Sequence, residues 1–164
     1  MANIEQIPAV LAFDVGNSAV HFATVQGDKV GPQRVFRLGE LAGLSQAAVE
    51  AWHQLPAPKK LVACSVNPPA LENVEAILGQ ALPDVPLLVV GRELPLPLDS
   101  DLSDPSAIGT DRLCAAAAAF DRLGVACVVA DFGTAITIDY VSDEGVFRGG
   151  AILPGLRMGA AGLN

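Results

Sequence analysis

Two short stretches set an aspartate, a glycine and a small polar group at one spacing: Asp14-Val15-Gly16-Asn17 after one apolar run, and Asp131-Phe132-Gly133-Thr134 after another. The unit has a definite chemistry. Glycine lets the backbone come close to a ligand, successive turn amides can point at phosphate oxygens, and Asn or Thr adds a hydrogen bond. An aspartate at a strand end repels phosphate unless a cation lies between them, so its position calls for Mg²⁺ or another ion. For either copy alone a plain hairpin turn is a sufficient account, because Asp, Gly and Asn are favoured in turns for conformational reasons. Two copies, each ending a buried strand and opening a similar meander, are hard to obtain from turn chemistry alone. Together they suggest an internal duplication with two lobes gripping a nucleotide.

Two further stretches carry candidate groups. In "IGTDR", Ile108 to Arg112, Thr110 or a neighbour can cap the following helix and Asp111 in the first turn suits the macrodipole. Beside phosphate-type hairpins the same carboxylate stands where an acceptor hydroxyl needs a base, with Arg112 free to bind an anion. In "RGGAILPG", Arg148 to Gly155, two readings stand. Gly149-Gly150 either permits close backbone approach to a ligand or forms a glycine-bulged strand edge packed on a neighbour, and Pro154 can start a helix.

The elements that must position these groups follow from periodicity. Val10 to Phe13, "AVHFATV" and "RVFRL" read as a three-stranded meander. Leu41, Leu44, Ala48, Ala51, Trp52 and Leu55 fall on one helix face between Gly39 and Pro56, which makes Trp52 a core residue and leaves His53 on the surface. "KLVACSV" predicts a buried strand, "PPALENVEAILGQAL" a proline-started helix and "PLLVVG" another strand; this order implies parallel pairing by a right-handed crossover. Residues 93–106 mix prolines and acidic residues outside any period and read as a loop or hinge. "DRLCAAAAAFDRLG" is helical with Gly124 as C-cap, after which a second meander begins.

Bulk composition bounds the rest. With 164 residues and 51% hydrophobic side chains the chain can bury a core in one or two domains. A net charge of −8 with ten Lys and Arg argues against a nucleic-acid partner. Cys64, Cys114 and Cys127 lack metal or redox spacing and read as buried thiols. The N-terminus has no signal-peptide pattern, and Asp121, Arg122 and Gly124 interrupt the most apolar stretch, so no membrane partner is expected and the expected location is cytoplasmic.

In the order "DVGNS", "CSVNP", "GTDR", "DFGTAITID" and "GGAILPG", these residues resemble the type III pantothenate kinases, members of the superfamily of actin, sugar kinases and Hsp70. The likeness covers nearly the whole chain, and five motifs in sequence are specific where any one is weak. It implies an α/β, ribonuclease H-like (actin-like ATPase) duplicated fold, with the first lobe complete over residues 1–106 and residues 107–164 forming a linking helix and the N-terminal part of a second, partial lobe. The implied reaction is ATP-dependent phosphorylation of pantothenate to 4'-phosphopantothenate, the first step of coenzyme A synthesis. The implied enzyme is a homodimer using Mg²⁺ and a monovalent cation, K⁺ or NH₄⁺.

Carried over residue by residue, the resemblance makes Asp14, Val15, Gly16, Asn17, Ser18, Ala19, Val20 and His21 the first phosphate loop, with Asp14 near Mg²⁺. Gly109, Thr110, Asp111 and Arg112 would bind pantothenate, with Asp111 as proton acceptor. Asp131 would hold the monovalent cation, while Gly133 and Thr134 approach the ATP phosphates. Leu102 stands where the family often has an aromatic residue, and Asp104 where asparagine is common. Because the chain stops at Asn164, short of the family's usual length, the resemblance implies little activity for this length alone, and strand faces such as "VVADFG" and "AITIDYV" are expected to need a cover. The alternative is a non-catalytic nucleotide-binding or regulatory accessory protein of the same fold.

Overall fold

Strict alternation along β1 (Ala9–Val15) turns Leu11, Phe13 and Val15 to a core and leaves Val10, Ala12 and Asp14 on the other face, which fixes the first sheet. The computed structural model describes residues 7–104 and 107–161, and the chain divides into two units at Leu94/Pro95. In the first unit β1 pairs antiparallel with β2 (Ala19–Gln26), which in turn carries β3 (Lys29–Val30) and β4 (Arg34–Arg37) on its far side. The expected meander is therefore present, with β4 as its third strand, and the two-residue β3 is added to it.

On its other side β1 pairs in parallel with β5 (Lys59–Ser65), and β5 with β6 (Leu87–Val89), through the crossover helix α2 (Pro68–Ala81). α1 (Leu44–Gln54) and α2 seal the inner face: Leu44, Ala48, Trp52, Leu71, Val74 and Leu78 pack with Leu11, Phe13, Val15 and Leu61 in one buried cluster. Trp52 is core as expected, with Lys59 Nζ 4.6 Å from its ring centroid, and His53 is exposed.

The second unit begins within residues 93–106, expected to be a loop or hinge, and this loop touches the sheet at one point: Ser100 bridges to Phe147, and the Phe147 amide donates to the Asp99 carbonyl at 2.9 Å. Pro105 and Ser106 lie outside the described residues. α3 (Thr110–Leu123) follows and ends on Gly124 in the left-handed region (φ 64°), whose amide donates to the Phe120 carbonyl. β7 (Cys127–Phe132), β8 (Ala135–Val141) and β9 (Phe147–Pro154) form the second antiparallel meander, and α4 (Leu156–Ala161) comes after it. Pro154 closes β9; it does not open the helix. The core here is small, with Leu113 and Ala116 of α3 against Cys127, Val141 and Phe147.

The cysteines divide. Cys127 alone is buried, whereas Cys64 and Cys114 are half-buried. Cys64 sits near the end of β5, where its Sγ lies 3.6 Å from Asp14 Oδ1, so the expectation of three buried thiols holds for one.

Candidate functional site

The first hairpin is closed by the Val15/Val20 pair and by the Gly16 amide donating to the Ala19 carbonyl at 3.0 Å. Asn17 and Ser18 stand exposed at its tip, between Gly16 and Ala19. Asp14 is exposed at the strand end, in register with His21 on β2 and Cys64 on β5, so these three side chains form a row across one face. His21 Nδ1 is 3.0 Å from Gln33 Nε2, so His21 is a strand residue beside the turn while Gly16 to Ala19 make the turn itself.

"CSVNP" braces this hairpin from below. The Val66 amide donates to the Val15 carbonyl at 3.3 Å and Ser65 Oγ lies 3.2 Å from the same oxygen, which pins the backbone just before Gly16. Asn67 then caps α2, its Oδ1 accepting from the Ala70 amide at 3.1 Å with Pro68 in the first turn. One motif thus ends a strand, starts a helix and fixes the neighbouring turn.

The second hairpin repeats the design with a shorter loop. Phe132 pairs with Ile136 and the Gly133 amide donates to the Ala135 carbonyl at 2.9 Å. Asp14 pairs with His21, but Asp131 pairs with Thr137, so the second loop is one residue shorter and Ser18 has no counterpart. Asp131, Gly133 and Thr134 are exposed. Behind them stands Gly155: a Cβ there would come 2.7 Å from the Gly133 carbonyl oxygen and closer still to that of Thr134, so only glycine fits against the turn.

At the head of α3 the cap residue is Gly109, the neighbour of Thr110, and it supplies no side-chain cap. Asp111 is half-buried in the first turn, and its Oδ1 accepts from the Arg112 amide at 2.7 Å. Arg112 is engaged and not free as expected. Its Nε lies 3.1 and 3.2 Å from the two carboxylate oxygens of Asp139, its Nη2 pairs with the same group, and its Cζ is 5.7 Å from the Phe147 ring centroid. Asp139 is 2% exposed.

Sequence reasoning missed Asp139, which lies 27 residues from Arg112 within an apolar strand pattern. The neighbouring glycines explain themselves through it. Gly150 is the register partner of Asp139, and a Cβ on it would come 2.5 Å from Asp139 Oδ1. Gly149 adopts φ 100° where β9 slips register against Tyr140/Val141. Of the two readings of this pair, the bulged strand packed on its neighbour is what the structure displays. Arg148 beside them pairs with Asp101 and lies 3.7 Å from Glu144; Asp101 first, then Glu144, raise its pKa above the ordinary arginine value.

Among the described residues no three His, Cys, Asp or Glu side chains gather as a metal cluster. The donors at hand still suit the implied cations. Mg²⁺ is ordinarily bound by one or two carboxylates together with substrate phosphates and water, and Asp14, exposed at the strand end beside the Gly16 turn, fits the place of such a carboxylate. Two open cavities, of about 400 Å³ beside Gly43 and Ile77 and about 600 Å³ beside Leu98 and Ala117, contain none of the motif residues. No described helix is long and apolar enough to cross a membrane.

Comparison with known proteins adds the identity of the family. The fold is similar to that of the ethanolamine utilization protein EutJ from Carboxydothermus hydrogenoformans, with a TM-score of 0.52 over 93% of this chain and 54% of that one at 15% identity. This supports the actin-like ATPase fold. A protein of Chlorobaculum parvum named type III pantothenate kinase is 33% identical over 158 residues, 94% of this chain and 59% of the relative. One of Rubrobacter xylanophilus with the same name is 32% identical over 154 residues, 90% of this chain and 58% of the relative. The chain therefore spans under two thirds of the length of these curated relatives. The profile described as type III pantothenate kinase matches residues 10–164, and with the two D-x-G hairpins and the G-T-D-R helix start this means that the chain belongs to the type III pantothenate kinase family.

Proposed function

We propose that the chain carries the phosphoryl-transfer machinery for ATP-dependent phosphorylation of pantothenate. The observation that carries this reading is the half-buried carboxylate of Asp111 at the start of α3, in a chain of this family that holds two exposed D-x-G-[NT] turns. Phosphoryl transfer asks little covalent chemistry of a protein; it asks for positioning and charge neutralisation. The primary hydroxyl of pantothenate attacks the γ-phosphorus, the bond from that phosphorus to the bridging oxygen breaks, and ADP departs. The hydroxyl proton passes to Asp111. In each unit the turn amides, of Gly16 to Ser18 in the first and of Gly133 and Thr134 in the second, are the donors suited to phosphate oxygens.

Asp14 would hold Mg²⁺, which when bound offsets phosphate charge, and Asp131 would hold K⁺ or NH₄⁺. Arg112 takes part through its pair with Asp139, which fixes the plane of the guanidinium beside the Gly109 to Asp111 backbone. The same reading places the reaction in the cytoplasm and in a homodimer.

Mass-spectrometric detection of phosphopantothenate, with ATP, Mg²⁺, K⁺ and pantothenate supplied, tests the reading in this chain and in a version extended to the relatives' length. Asp111→Asn should lower turnover by about 10²- to 10⁴-fold while nucleotide binding by calorimetry persists. Equal turnover by the variant, or no product from the extended version, rejects the kinase reading. Nucleotide binding with no turnover in either version is the signature of the alternative, a nucleotide-binding accessory protein of the same fold.

A further inference from the structure

Asp14 lies near the end of β1 between two neighbours in register, His21 on β2 and Cys64 on β5. On the β2 side His21 Nδ1 is 3.0 Å from Gln33 Nε2. On the β5 side the Cys64 thiol donates to Asp14 Oδ1, with Sγ at 3.6 Å. The residues after Cys64 hold the backbone that follows Asp14: Ser65 Oγ lies 3.2 Å from the Val15 carbonyl oxygen, and the Val66 amide donates to the same oxygen at 3.3 Å. Three successive residues at the end of β5 thus reach the carboxylate and the peptide that leads into the Gly16 turn. Core packing does not account for the thiol. Leu61 and Ala63 of β5 belong to the buried cluster, whereas Cys64 stands half-buried on the other face, beside Asp14.

We propose that Cys64 is a positioning residue for Asp14, its thiol fixing the carboxylate plane and so raising the affinity for the Mg²⁺ of Mg·ATP. The inference rests on the proposed function, in which Asp14 holds Mg²⁺, and deepens that site. A carboxylate that binds a metal is ordinarily hydrogen-bonded itself, and loss of such an outer partner costs about 10- to 100-fold in metal affinity or activity. A thiol suits the task because it carries no charge. It orients the carboxylate without offsetting the negative charge that attracts the cation, which Lys or Arg at this place would do.

Calorimetric titration with ATP, in Mg²⁺ and again in EDTA, tests the role in this chain and in the version extended to the relatives' length. Cys64→Ala should weaken binding about tenfold or more in Mg²⁺ and leave it unchanged in EDTA. Cys64→Ser keeps a donor and should restore most of the loss. Val62→Ala, two residues earlier on the same face, controls for lost packing and should leave both affinities as in the parent. Trp52 fluorescence verifies folding of each variant. A second readout needs no nucleotide: the infrared S–H stretching band that disappears in Cys64→Ser should shift in Asp14→Asn. Equal weakening with and without Mg²⁺, Cys64→Ser as weak as Cys64→Ala, or an S–H band that ignores Asp14→Asn overturns the proposal. Mg²⁺-dependent binding that Cys64→Ala leaves intact overturns it alone and spares the kinase reading. If neither version of the parent binds ATP more tightly with Mg²⁺ than without, both fall.

Discussion

Asp139 decides what Arg112 can do. A nearly buried carboxylate that lost its guanidinium would keep the cost of desolvation without the compensating attraction, so removing one partner of such a pair is far more damaging than deleting an exposed one. Arg112→Met should therefore destabilise the second unit by about 3–5 kcal/mol, read as a lowered denaturant midpoint. Arg112→Met combined with Asp139→Leu should recover much of that loss, because no charge is then stranded. A single variant as stable as the parent would show that the pair does not hold α3 to β8. The exposed cluster of Arg92 with Glu75 and Glu93 behaves differently. Glu93 is held below the ordinary glutamate pKa, first by Arg92 and then by the Val89 amide. Its contribution is present above the ordinary value and lost as pH falls through the lowered one. The difference between parent and Arg92→Gln in thermal unfolding should accordingly be small at neutral pH, where solvent screens the pair, and should vanish in acid.

Whole elements are set in place by a few backbone positions that no side chain can share. Gly155 backs the Gly133 and Thr134 carbonyls, so Gly155→Ala must push the second turn or the start of α4 aside. Overpacking of this kind costs about 1–3 kcal/mol, and on the proposed function it should also weaken ATP binding measured by calorimetry, while Gly159→Ala in α4, which meets nothing within 4 Å, should cost neither stability nor binding. The opposite pattern would mean that the turn does not depend on Gly155. Much of this arrangement was legible beforehand. Both hairpins, the β5–α2 crossover and the Gly124 cap are written in local patterns of period, proline and glycine, and the structure follows them. What escaped were relations between distant elements: the Asp139 partner of Arg112, the Gly150 contact that makes room for it, and the single-residue difference between the two loops. Each depends on strand register or helix docking, which a local window does not contain. Cys64 was misjudged for a related reason, since an apolar run predicts burial on both faces and the face that Cys64 shares with Asp14 is only half covered.

The two units share a meander and differ in what they bury, and that difference has a thermodynamic consequence. Stability is a small surplus of apolar burial over conformational entropy, so a unit with few buried side chains unfolds first. The first unit's core runs from Ala9 to Val89 and includes residues of both α1 and α2; among the described residues the second unit's core is Ile108, Leu113, Ala116, Cys127, Val141 and Phe147. Denaturant should therefore unfold the chain in two steps. Trp52, the one tryptophan, is buried in the first unit and reports the later step, while amide exchange over α3 and β7 to β9 reports the earlier one. Counterpart substitutions make the same point within the repeat. Leu11→Ala removes a fully buried side chain and should shift the tryptophan transition by about 2–5 kcal/mol, whereas Val128→Ala at the matching position of β7 should stay within about 0.5 kcal/mol. Coincident transitions by both probes, or a Val128→Ala cost comparable to that of Leu11→Ala, would mean that the face of β7 is already covered in solution. That last result, seen in the chain alone and at a concentration-dependent midpoint, would assign the cover to self-association.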